Sequence, residues 1–228
     1  MMEFANYLDA FYALKQKLLN KEFVDDLVEL MDVSFTIPHE IEYVDISSKK
    51  TDRSYCEEEL KWYLKAIPNI YTNERIAKTK IWQNVSSIDG MVNSNYGFRI
   101  FPKETGNQFD NCIECLVINE FSKQAVMIYT FPEIHNYKND GFHARSDMIC
   151  TIYVQLLIRN NKLEYYVYMR SNDAFYGFQN DYPWHRYIHK LAWLKLHRTY
   201  SNLTIGDIHW HATSFHVYPR HFKLLEAL

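Results

Sequence analysis

The feature that most constrains the fold is a pair of apolar runs in the second half of this 228-residue chain. Residues 148–158 are rich in β-branched and aliphatic side chains, and residues 163–170 are rich in tyrosine. The four residues between them, Arg-Asn-Asn-Lys at 159–162, are typical of a tight turn. The pattern therefore predicts two neighbouring β-strands joined by a short turn.

The remaining segments predict helices early in the chain and strands late. Apolar spacing predicts helices over residues 3–19, 22–31, 55–66, 108–120 and 182–198. Strands are predicted over 124–130 and 203–218, with extended chain over 33–44 that is broken at Pro38. We expect an α+β fold, with helices packed on a mixed or antiparallel sheet. No repeat or linker divides the chain, so a single domain over residues 1–228 is expected.

Composition excludes several classes of function. The net charge of −3 offers no basic footprint, so no direct nucleic-acid binding is expected. No apolar run approaches the roughly 20 residues that a membrane span needs. Four cysteines are too few for a disulfide scaffold at this length, and the N-terminus does not resemble a signal peptide. We therefore expect a cytoplasmic protein with reduced thiols.

Six short motifs, in a fixed order, resemble those of the thymidylate synthase superfamily. They are Glu59-Leu-Lys-Trp62, Ile81-Trp82, Asn95-Tyr96-Gly97, Cys150 with Gln155, Met169 to Gly177, and Ser214 to Tyr218. Each is weak alone, but their shared order and spacing are specific. The first 50 residues match the family poorly.

Within the superfamily, the sequence is most similar to the phage deoxycytidylate hydroxymethylases. The segments concerned are 93–97, 127–130, 169–173, 177–178, 180–182, 216–218 and 220–222. The resemblance implies a thymidylate synthase-like fold, a sheet-mediated homodimer and a pyrimidine nucleotide substrate. It also implies 5,10-methylenetetrahydrofolate as co-substrate, no metal, and a place in the host cytoplasm if a phage encodes the protein.

Cys150 matches the nucleophile of this family. A thiolate that adds to carbon 6 of a pyrimidine makes carbon 5 nucleophilic toward an electrophilic one-carbon unit. Only the thiolate reacts, so a nearby cation is expected to lower the thiol pKa, and Arg170 on the adjacent predicted strand fits. The alternative is that Cys150 is a small apolar residue of a strand.

Asp181 matches the position that recognises the base. Thymidylate synthases have Asn there, whereas a carboxyl group can accept a hydrogen bond from the exocyclic amine of cytosine. A shift of one residue would place Asn180 at that position and restore a preference for uracil. A further alternative is that Asp181 is the N-cap of the helix predicted over 182–198.

Glu59 resembles the catalytic glutamate of the family, which orders water and assists proton transfers. The alternative is a solvated acidic helix face formed by residues 57–59. Tyr96 and Asn172 match further positions that line the nucleotide site.

The resemblance assigns other side chains to the phosphate, the sugar and the folate. Arg170 and Ser171 match phosphate ligands, since a guanidinium can donate two hydrogen bonds to an anion. His216 and Tyr218 match sugar ligands and share one face of a predicted strand. The folate is expected to contact Asp173, Trp82 and Gly177.

Two departures from the family pattern affect these expectations. Phosphate sites of the family also use two consecutive arginines from the partner subunit, whereas the matching residues here are Lys123 and Gln124. Losing a charge-assisted hydrogen bond costs on the order of 1.5–3 kcal/mol. The sequence also ends at Leu228, where other members continue into a closing tail, and lack of such a lid is expected to loosen folate binding.

Metal-compatible spacings are present but incomplete. Cys112 and Cys115 form a lone CxxC without a second pair, so packing is the favoured interpretation. The histidine pairs 185/189 and 209/211 have suitable spacing, but no acidic or cysteine partner accompanies them. Lys49, Lys50 or Arg53 could supply a missing phosphate contact.

Three hypotheses remain open from the sequence. The first is a hydroxymethylase acting on dCMP. The second keeps the fold but changes the chemistry, as a thymidylate synthase-like methylase or a hydroxymethylase of dUMP or CMP. The third is a nucleotide- or partner-binding module that retains the scaffold without catalysis.

Overall fold

The computed structural model describes residues 1–39, 53–134 and 147–228. Its helices are α1 (Tyr7–Leu19), α2 (Arg53–Leu64), α3 (Glu74–Ala77), α4 (Lys80–Val85), α5 (Tyr96–Ile100), α6 (Gln108–Ile118), α7 (Gly177–Leu196) and α8 (Pro219–Glu226). Its strands are β1 (Met2–Glu3), β2 (Val28–Pro38), β3 (Val126–Ile128), β4 (Thr151–Arg159), β5 (Lys162–Met169), β6 (Asn172–Asp173) and β7 (Thr204–Val217).

The strands of the described ranges form one mixed sheet in the order β1-β2-β7-β5-β4-β3, with β6 paired to β7. The pairs β2/β7, β3/β4 and β4/β5 are antiparallel, whereas β1/β2, β5/β7 and β6/β7 are parallel. The predicted α+β class with a mixed sheet is thus confirmed. Strands from both ends of the chain meet in its centre, because β2 pairs with β7 over most of its length.

The predicted hairpin is present as β4 and β5, and its turn explains the register. Asn160 and Asn161 both have positive φ, at 52° and 59°. Two consecutive left-handed residues are the signature of a type I′ turn, which asparagine tolerates better than most residues. The turn pairs Arg159 with Lys162, and the ladder continues to Thr151 opposite Met169.

Alternation along the central strands gives the sheet two different faces. On β5, Leu163, Tyr165 and Val167 are completely buried beneath helices, whereas Tyr166 and Tyr168 point to the other side and stay partly exposed. This is the period of two expected for a sheet covered on one side. We use the term open face for the uncovered side, marked by Tyr153, Tyr166, Tyr168, His209 and His211.

The helix predicted over residues 22–31 is wrong. Residues 28–31 instead begin β2, which pairs with β7 from Val28 to Pro38. Asp25 has a φ of 52°, a left-handed conformation that a continuous α-helix cannot accommodate. The extended chain predicted over 33–44 is confirmed as far as Pro38. Lys49, Lys50 and the side chain of Arg53 lie outside the described residues.

Helix α7 begins at Gly177, five residues before the predicted start at 182. Asp173 precedes it, and its Oδ1 accepts hydrogen bonds from the backbone N–H groups of Phe175 (2.8 Å) and Tyr176 (2.7 Å). This carboxylate therefore fixes the turn that enters the helix. As a result, Asp181 lies inside the helix and is not its N-cap, so that alternative is wrong.

A close approach of two helices positions the residues before the sheet. A Cβ added at Gly97 would lie 1.7 Å from the backbone oxygen of Tyr63, so only glycine lets α5 and α2 touch there. The rings of Tyr63 and Tyr96 stack beside this contact at 5.1 Å. The contact brings Tyr96 onto the same side of the fold as the helix that contains Glu59.

Candidate active site

Cys150 lies immediately before β4 and is partly exposed. The guanidinium of Arg170 is anchored beside it, with Nε donating to the oxygen of Ile149 (2.9 Å) and Nη2 to that of Met148 (2.7 Å). Nη2 also lies 3.9 Å from the Cys150 sulfur. The predicted proximity of this cation to the thiol is therefore present.

The thiol is nevertheless protonated at neutral pH in the ligand-free protein. Burial and the carboxylate of Asp181 raise the pKa of Cys150 to about 12, and Arg170 offsets only part of this rise. Arg170 thus acts in the expected direction and lowers the thiol pKa, but burial and Asp181 outweigh it. A thiol with a raised pKa needs a base to form the thiolate that reacts.

Asp181 is held by hydrogen bonds to both carboxyl oxygens. Tyr96 donates to Oδ1 at 3.1 Å, and the Asn172 amide donates to Oδ2 at 3.0 Å. A Cβ at Gly177 would lie 3.3 Å from the Asn172 nitrogen, so the glycine leaves room for this pair. The neighbouring Asn180 accepts from the Cys56 thiol instead, at 3.3 Å. The structure thus places Asp181, not Asn180, beside Tyr96.

The carboxyl group of Asp181 is easily protonated. Burial raises its pKa to about 7, although the hydrogen bonds from Tyr96 and Asn172 act in the opposite direction. Asp181 and Cys150 are both partly exposed. We use cleft for the site formed by Cys150, Asp181, Tyr96, Asn172 and Glu59.

Glu59 is buried in the wall of the cleft, with 4% of its surface exposed. The predicted alternative of a solvated acidic face therefore does not apply to it. The Tyr55 hydroxyl donates to its Oε1 at 2.6 Å. Burial raises the pKa of Glu59 to about 8, and the nearby Asp181 adds to the rise. Two carboxyl groups that compete for negative charge are an arrangement suited to proton transfer.

Trp82 supports the cleft from behind. Its indole N–H donates to the Tyr55 hydroxyl at 2.8 Å, and its ring packs edge-on against Trp62 at 4.9 Å. With 8% of its surface exposed, it offers a ligand only a small area in this state. Its predicted contact with a folate remains a prediction.

Asn172 has one acceptor without a partner. The side chain is 1% exposed, and its Oδ1 makes no hydrogen bond to any described residue. An unsatisfied buried carbonyl oxygen costs about 1–3 kcal/mol. Because the other end of the amide is bound to Asp181, this acceptor lies where a ligand N–H or O–H could satisfy it.

Asp173, His216 and His221 form a second polar group near the entrance to α7. Burial raises the pKa of Asp173, but His221 and the backbone N–H of Tyr176 outweigh it and hold the pKa below its ordinary value. His221 Nδ1 lies 3.6 Å from Asp173 Oδ2. Burial lowers the pKa of His216, whose Nδ1 lies 3.1 Å from the Ser214 hydroxyl.

The structure brings some predicted site residues together and leaves others apart. Ser171 lies between β5 and β6 and is partly exposed, and Tyr218 packs edge-on against His216 at 5.0 Å. Lys123 and Gln124 are exposed, and the backbone oxygen of Lys123 accepts from Gln155 at 2.8 Å. Gln155 is five residues beyond Cys150, roughly 16 Å along β4. Lys123 and Gln124 therefore lie outside the cleft of their own chain.

The metal-compatible spacings are occupied by ordinary packing. His185 is buried between the Thr151 hydroxyl (3.3 Å) and the Tyr165 hydroxyl (3.1 Å). His189 Nε2 lies 2.7 Å from the oxygen of Leu163. Over residues 1–39, 53–134 and 147–228, no group of three potential ligands is placed to hold a metal. Among the helices of these ranges, none has the length and apolar character to cross a bilayer.

Sequence reasoning missed two residues that shape the cleft. Tyr55 is four residues before Glu59 on α2, a spacing that places side chains on one helix face and could have indicated the contact. Asp147 is buried and accepts from the backbone N–H groups of Asn93 (2.9 Å) and Ser94 (2.6 Å), which fixes the chain entering α5. No local pattern indicates that long-range contact.

Comparison with known proteins gives a family match and named relatives. Residues 34–228 match the sequence profile of thymidylate synthase. The match begins within the first 50 residues, for which the short motifs gave no anchor.

Among the relatives is the deoxycytidylate 5-hydroxymethyltransferase of Enterobacteria phage T4. It is 35% identical over 225 residues, which covers 92% of this chain and 85% of the relative. The thymidylate synthase of Francisella tularensis subsp. holarctica is 24% identical over 190 residues, covering 78% of this chain and 66% of its own. That of Buchnera aphidicola is 27% identical over 186 residues, covering 78% and 65%.

Proposed function

Because this chain belongs to the thymidylate synthase family, we propose that it converts dCMP to 5-hydroxymethyl-dCMP with 5,10-methylenetetrahydrofolate as co-substrate. The similarity to a phage deoxycytidylate 5-hydroxymethyltransferase supports this substrate. It also supports a place in the cytoplasm of a host cell. The balanced reaction takes up one water and releases tetrahydrofolate.

The observation that carries the proposal is the position of Asp181, which Tyr96 and Asn172 hold by hydrogen bonds beside Cys150. Cytosine offers a ring-nitrogen acceptor beside an amino donor. A neutral carboxyl can donate to the first and accept from the second, and burial raises the pKa of Asp181 to about 7. The unpartnered Oδ1 of Asn172 is a second acceptor close by. An ionised Asp181 can still accept from the cytosine amine, whereas the carbon-4 oxygen of uracil offers it no donor.

The chain's own residues supply the covalent and proton-transfer chemistry. The Cys150 sulfur bonds to carbon 6 of the base while its proton leaves, and carbon 5 gains the electron pair. The loss of that proton requires a base, and the ionised form of Glu59 in the same cleft can serve. Burial raises the pKa of Glu59 to about 8, so both of its forms are populated near neutral pH. Carbon 5 then bonds to the one-carbon unit while the carbon–nitrogen bond to the folate breaks, and the proton on carbon 5 leaves to give an exocyclic methylene. Water adds its oxygen to that methylene, the bond between carbon 6 and the sulfur breaks, and the proton of the water returns to the thiolate.

The residues near α7 fit the folate. Asp173 keeps a lowered pKa and is therefore an anion, and its Oδ2 is 3.6 Å from His221, too far for a good hydrogen bond. That oxygen can accept from the N–H edge of a pterin ring. The co-substrate supplies a one-carbon unit at the oxidation level of formaldehyde. Gly177 and Trp82 are proposed as further contacts.

The direct test is mass spectrometry of the nucleotide product formed from dCMP and ¹³C-labelled methylenetetrahydrofolate. We expect a product heavier than dCMP by one labelled hydroxymethyl group, with dUMP and CMP converted more slowly. Labelled thymidylate from dUMP as the main product would identify a methylase instead. Binding of nucleotide without consumption of folate would indicate a module that lacks catalysis.

We further propose that the protein acts as a homodimer through the open face. The aromatic rings of this face form two stacked pairs, Tyr153 with Tyr168 at 4.4 Å and Tyr166 with His209 at 4.2 Å. These side chains remain partly exposed in the single chain. Covering such a surface with a second copy removes apolar area from water.

The position of Lys123 supports the same arrangement. Its loop is held by Gln155, whose side chain is on the open side of β4, away from its own cleft. A second sheet stacked on this side would receive Lys123 and Gln124 near its own phosphate ligands, Arg170 and Ser171. His216 and Tyr218 are proposed to hold the sugar.

Mixing inactive variants tests whether the site is shared. Cys150→Ser and the double variant Lys123→Glu/Gln124→Glu are each expected to have little activity. If the site is shared in a two-fold dimer, heterodimers formed from equal amounts contain one intact site, so about a quarter of wild-type activity returns. If heterodimers are verified by mass but no activity returns, Lys123 belongs to the site of its own chain or to no site, and the shared site is rejected.

A further inference from the structure

Tyr55 connects two residues of the cleft wall. It stands four residues before Glu59 on α2, its hydroxyl donates to Glu59 Oε1 at 2.6 Å, and it accepts from the Trp82 indole N–H at 2.8 Å. We propose that Tyr55 is a positioning residue for the reaction: the relay Trp82–Tyr55–Glu59 fixes the glutamate carboxyl and selects the oxygen that transfers the proton. This inference rests on the proposed function for its kinetic part.

The direction of the hydrogen bonds supports this assignment. An indole N–H can only donate, so the Tyr55 oxygen must accept from Trp82 and its proton must point to Glu59. Burial and the adjacent Glu59 raise the pKa of Tyr55 well above its ordinary value, so the hydroxyl keeps that proton. Oε1 is thereby an acceptor, and a proton on the carboxyl group is directed to Oε2.

Packing on two sides keeps the relay in place. Trp82 belongs to α4 and is wedged edge-on against Trp62 of α2, so its N–H cannot turn away without opening the core. The relay therefore joins two helices through one hydroxyl group. A carboxyl oriented through a second residue in this way loses less freedom when a ligand arrives.

The groups that face Glu59 determine whether its pKa rises or falls when the Tyr55 hydroxyl is removed. They are Tyr55 and Tyr63 on its own helix, Asp181 on α7 and Trp82 on α4. Burial has the largest effect and raises the pKa of Glu59, and Asp181 also raises it, whereas hydrogen bonds from Tyr55 and, to a smaller extent, Trp82 lower it. Removing the hydroxyl should therefore raise the pKa further and leave Oε1 without its donor.

Tyr55→Phe is the test variant, because it removes one oxygen and keeps the ring. We expect kcat to fall roughly 10- to 100-fold, as for a lost hydrogen bond to a carboxylate, with the KM for dCMP little changed. The limb of the pH–rate profile that Glu59→Gln removes should move upward by about one pH unit. Unchanged kcat would overturn the proposal.

A titration that needs no turnover separates this inference from the proposed function. The ¹³C carboxyl signal of Glu59, assigned with Glu59→Gln, should titrate at higher pH in Tyr55→Phe than in wild type. If the wild-type protein has no activity, the proposed function fails, yet this shift still decides whether the hydrogen bond controls Glu59. An unchanged titration in Tyr55→Phe rejects the relay.

Tyr200→Phe is the matched control. Its hydroxyl donates to the backbone oxygens of Leu116 (2.8 Å) and Val117 (3.1 Å), so the variant also loses the hydrogen bonding of one hydroxyl group, but between α6 and the segment that follows α7. It should change neither the Glu59 titration nor the kcat. Trp82→Phe removes the indole N–H that donates to Tyr55 and that also lowers the pKa of Glu59, so it should move both readouts in the same direction as Tyr55→Phe.

Discussion

The cleft and the open face shift the pKa values of their glutamates in opposite directions. In the cleft, Glu59 receives one hydroxyl hydrogen bond and faces another acid, and burial raises its pKa to about 8. On the open face, burial also acts to raise the pKa of Glu164. There, however, His209 at 3.1 Å and the backbone N–H of Asp207 at 2.9 Å outweigh it and lower the pKa.

The difference lies in the number and type of donors. Glu164 bridges β5 and β7 with two donors and is stabilised as an anion, which is a structural role. Glu59 lacks such compensation, so its pKa of about 8 lies close to neutral pH and it can exchange its proton with a ligand. Changes in the cleft should therefore alter activity most, and changes on the open face should alter stability.

The largest expected effect is on the cleft nucleophile. Cys150→Ser should reduce turnover of dCMP by at least about 10³-fold, because a serine hydroxyl is a far weaker nucleophile toward carbon 6. Binding of dCMP, measured by calorimetry, should change little since the side-chain shape is kept. Turnover comparable to wild type would show that the cleft chemistry does not use this sulfur.

The next effect concerns the choice of base. Asp181→Asn should reduce the ratio of dCMP to dUMP turnover by roughly 100-fold, since an amide has one acceptor oxygen where the carboxyl has two, and since thymidylate synthases have Asn at the matching position. Competition of both nucleotides in one reaction, followed by mass spectrometry, gives the ratio. Asn180→Ser, which changes the neighbour bonded to Cys56, should leave it unaltered.

A smaller effect separates activity from stability in the cleft. Glu59→Gln should be more stable than wild type by about 1–3 kcal/mol at pH 8, and similar to it near pH 4. The folded pKa of about 8 is above the unfolded value, so this group's contribution is complete below pH 4.5 and is lost as the pH rises toward 8. Urea unfolding across this range measures the difference. A variant that is less stable at pH 8 contradicts the proposed cost of ionising Glu59.

The smallest effect is expected on the open face, where removing a carboxylate should lower stability and not raise it. Glu164→Gln should lose about 1 kcal/mol of stability near neutral pH, because its pKa is lowered in the folded chain. That contribution is present above the unfolded pKa and disappears as the pH falls through the folded value. Urea unfolding at neutral and acidic pH measures it, with kcat as the control. If Glu164→Gln forms a folded dimer but loses much of its kcat, the open face does not have a purely structural role.

Local patterns predicted the elements that short-range chemistry controls. Asn160 and Asn161 favour left-handed residues, so the hairpin of β4 and β5 followed from the sequence. The segment 22–31 did not, because its pairing partner in β7 lies almost two hundred residues away. The start of α7 was missed because Asp173 fixes a turn that helical periodicity alone cannot show.

The same distinction holds for the candidate site: some of its residues could be predicted from the sequence, and some of its contacts could not. Ordered motifs indicated Cys150, Glu59 and Asp181 without a structure, since each belongs to a short segment with its own spacing. The link between Glu59 and Trp82 through Tyr55 was not indicated, because it depends on how α4 packs against α2. The exposed position of Lys123, away from its own cleft, also required the sheet register.

By itself, the sequence determined which chemical groups this protein has and the order in which they occur, because turn residues, strand alternation and motif spacing act over a few positions. Only the tertiary structure decided the proton affinities of those groups and their neighbours. A carboxyl or thiol changes its pKa according to the donors and the dielectric around it, and those are supplied by helices and strands that are distant in the chain.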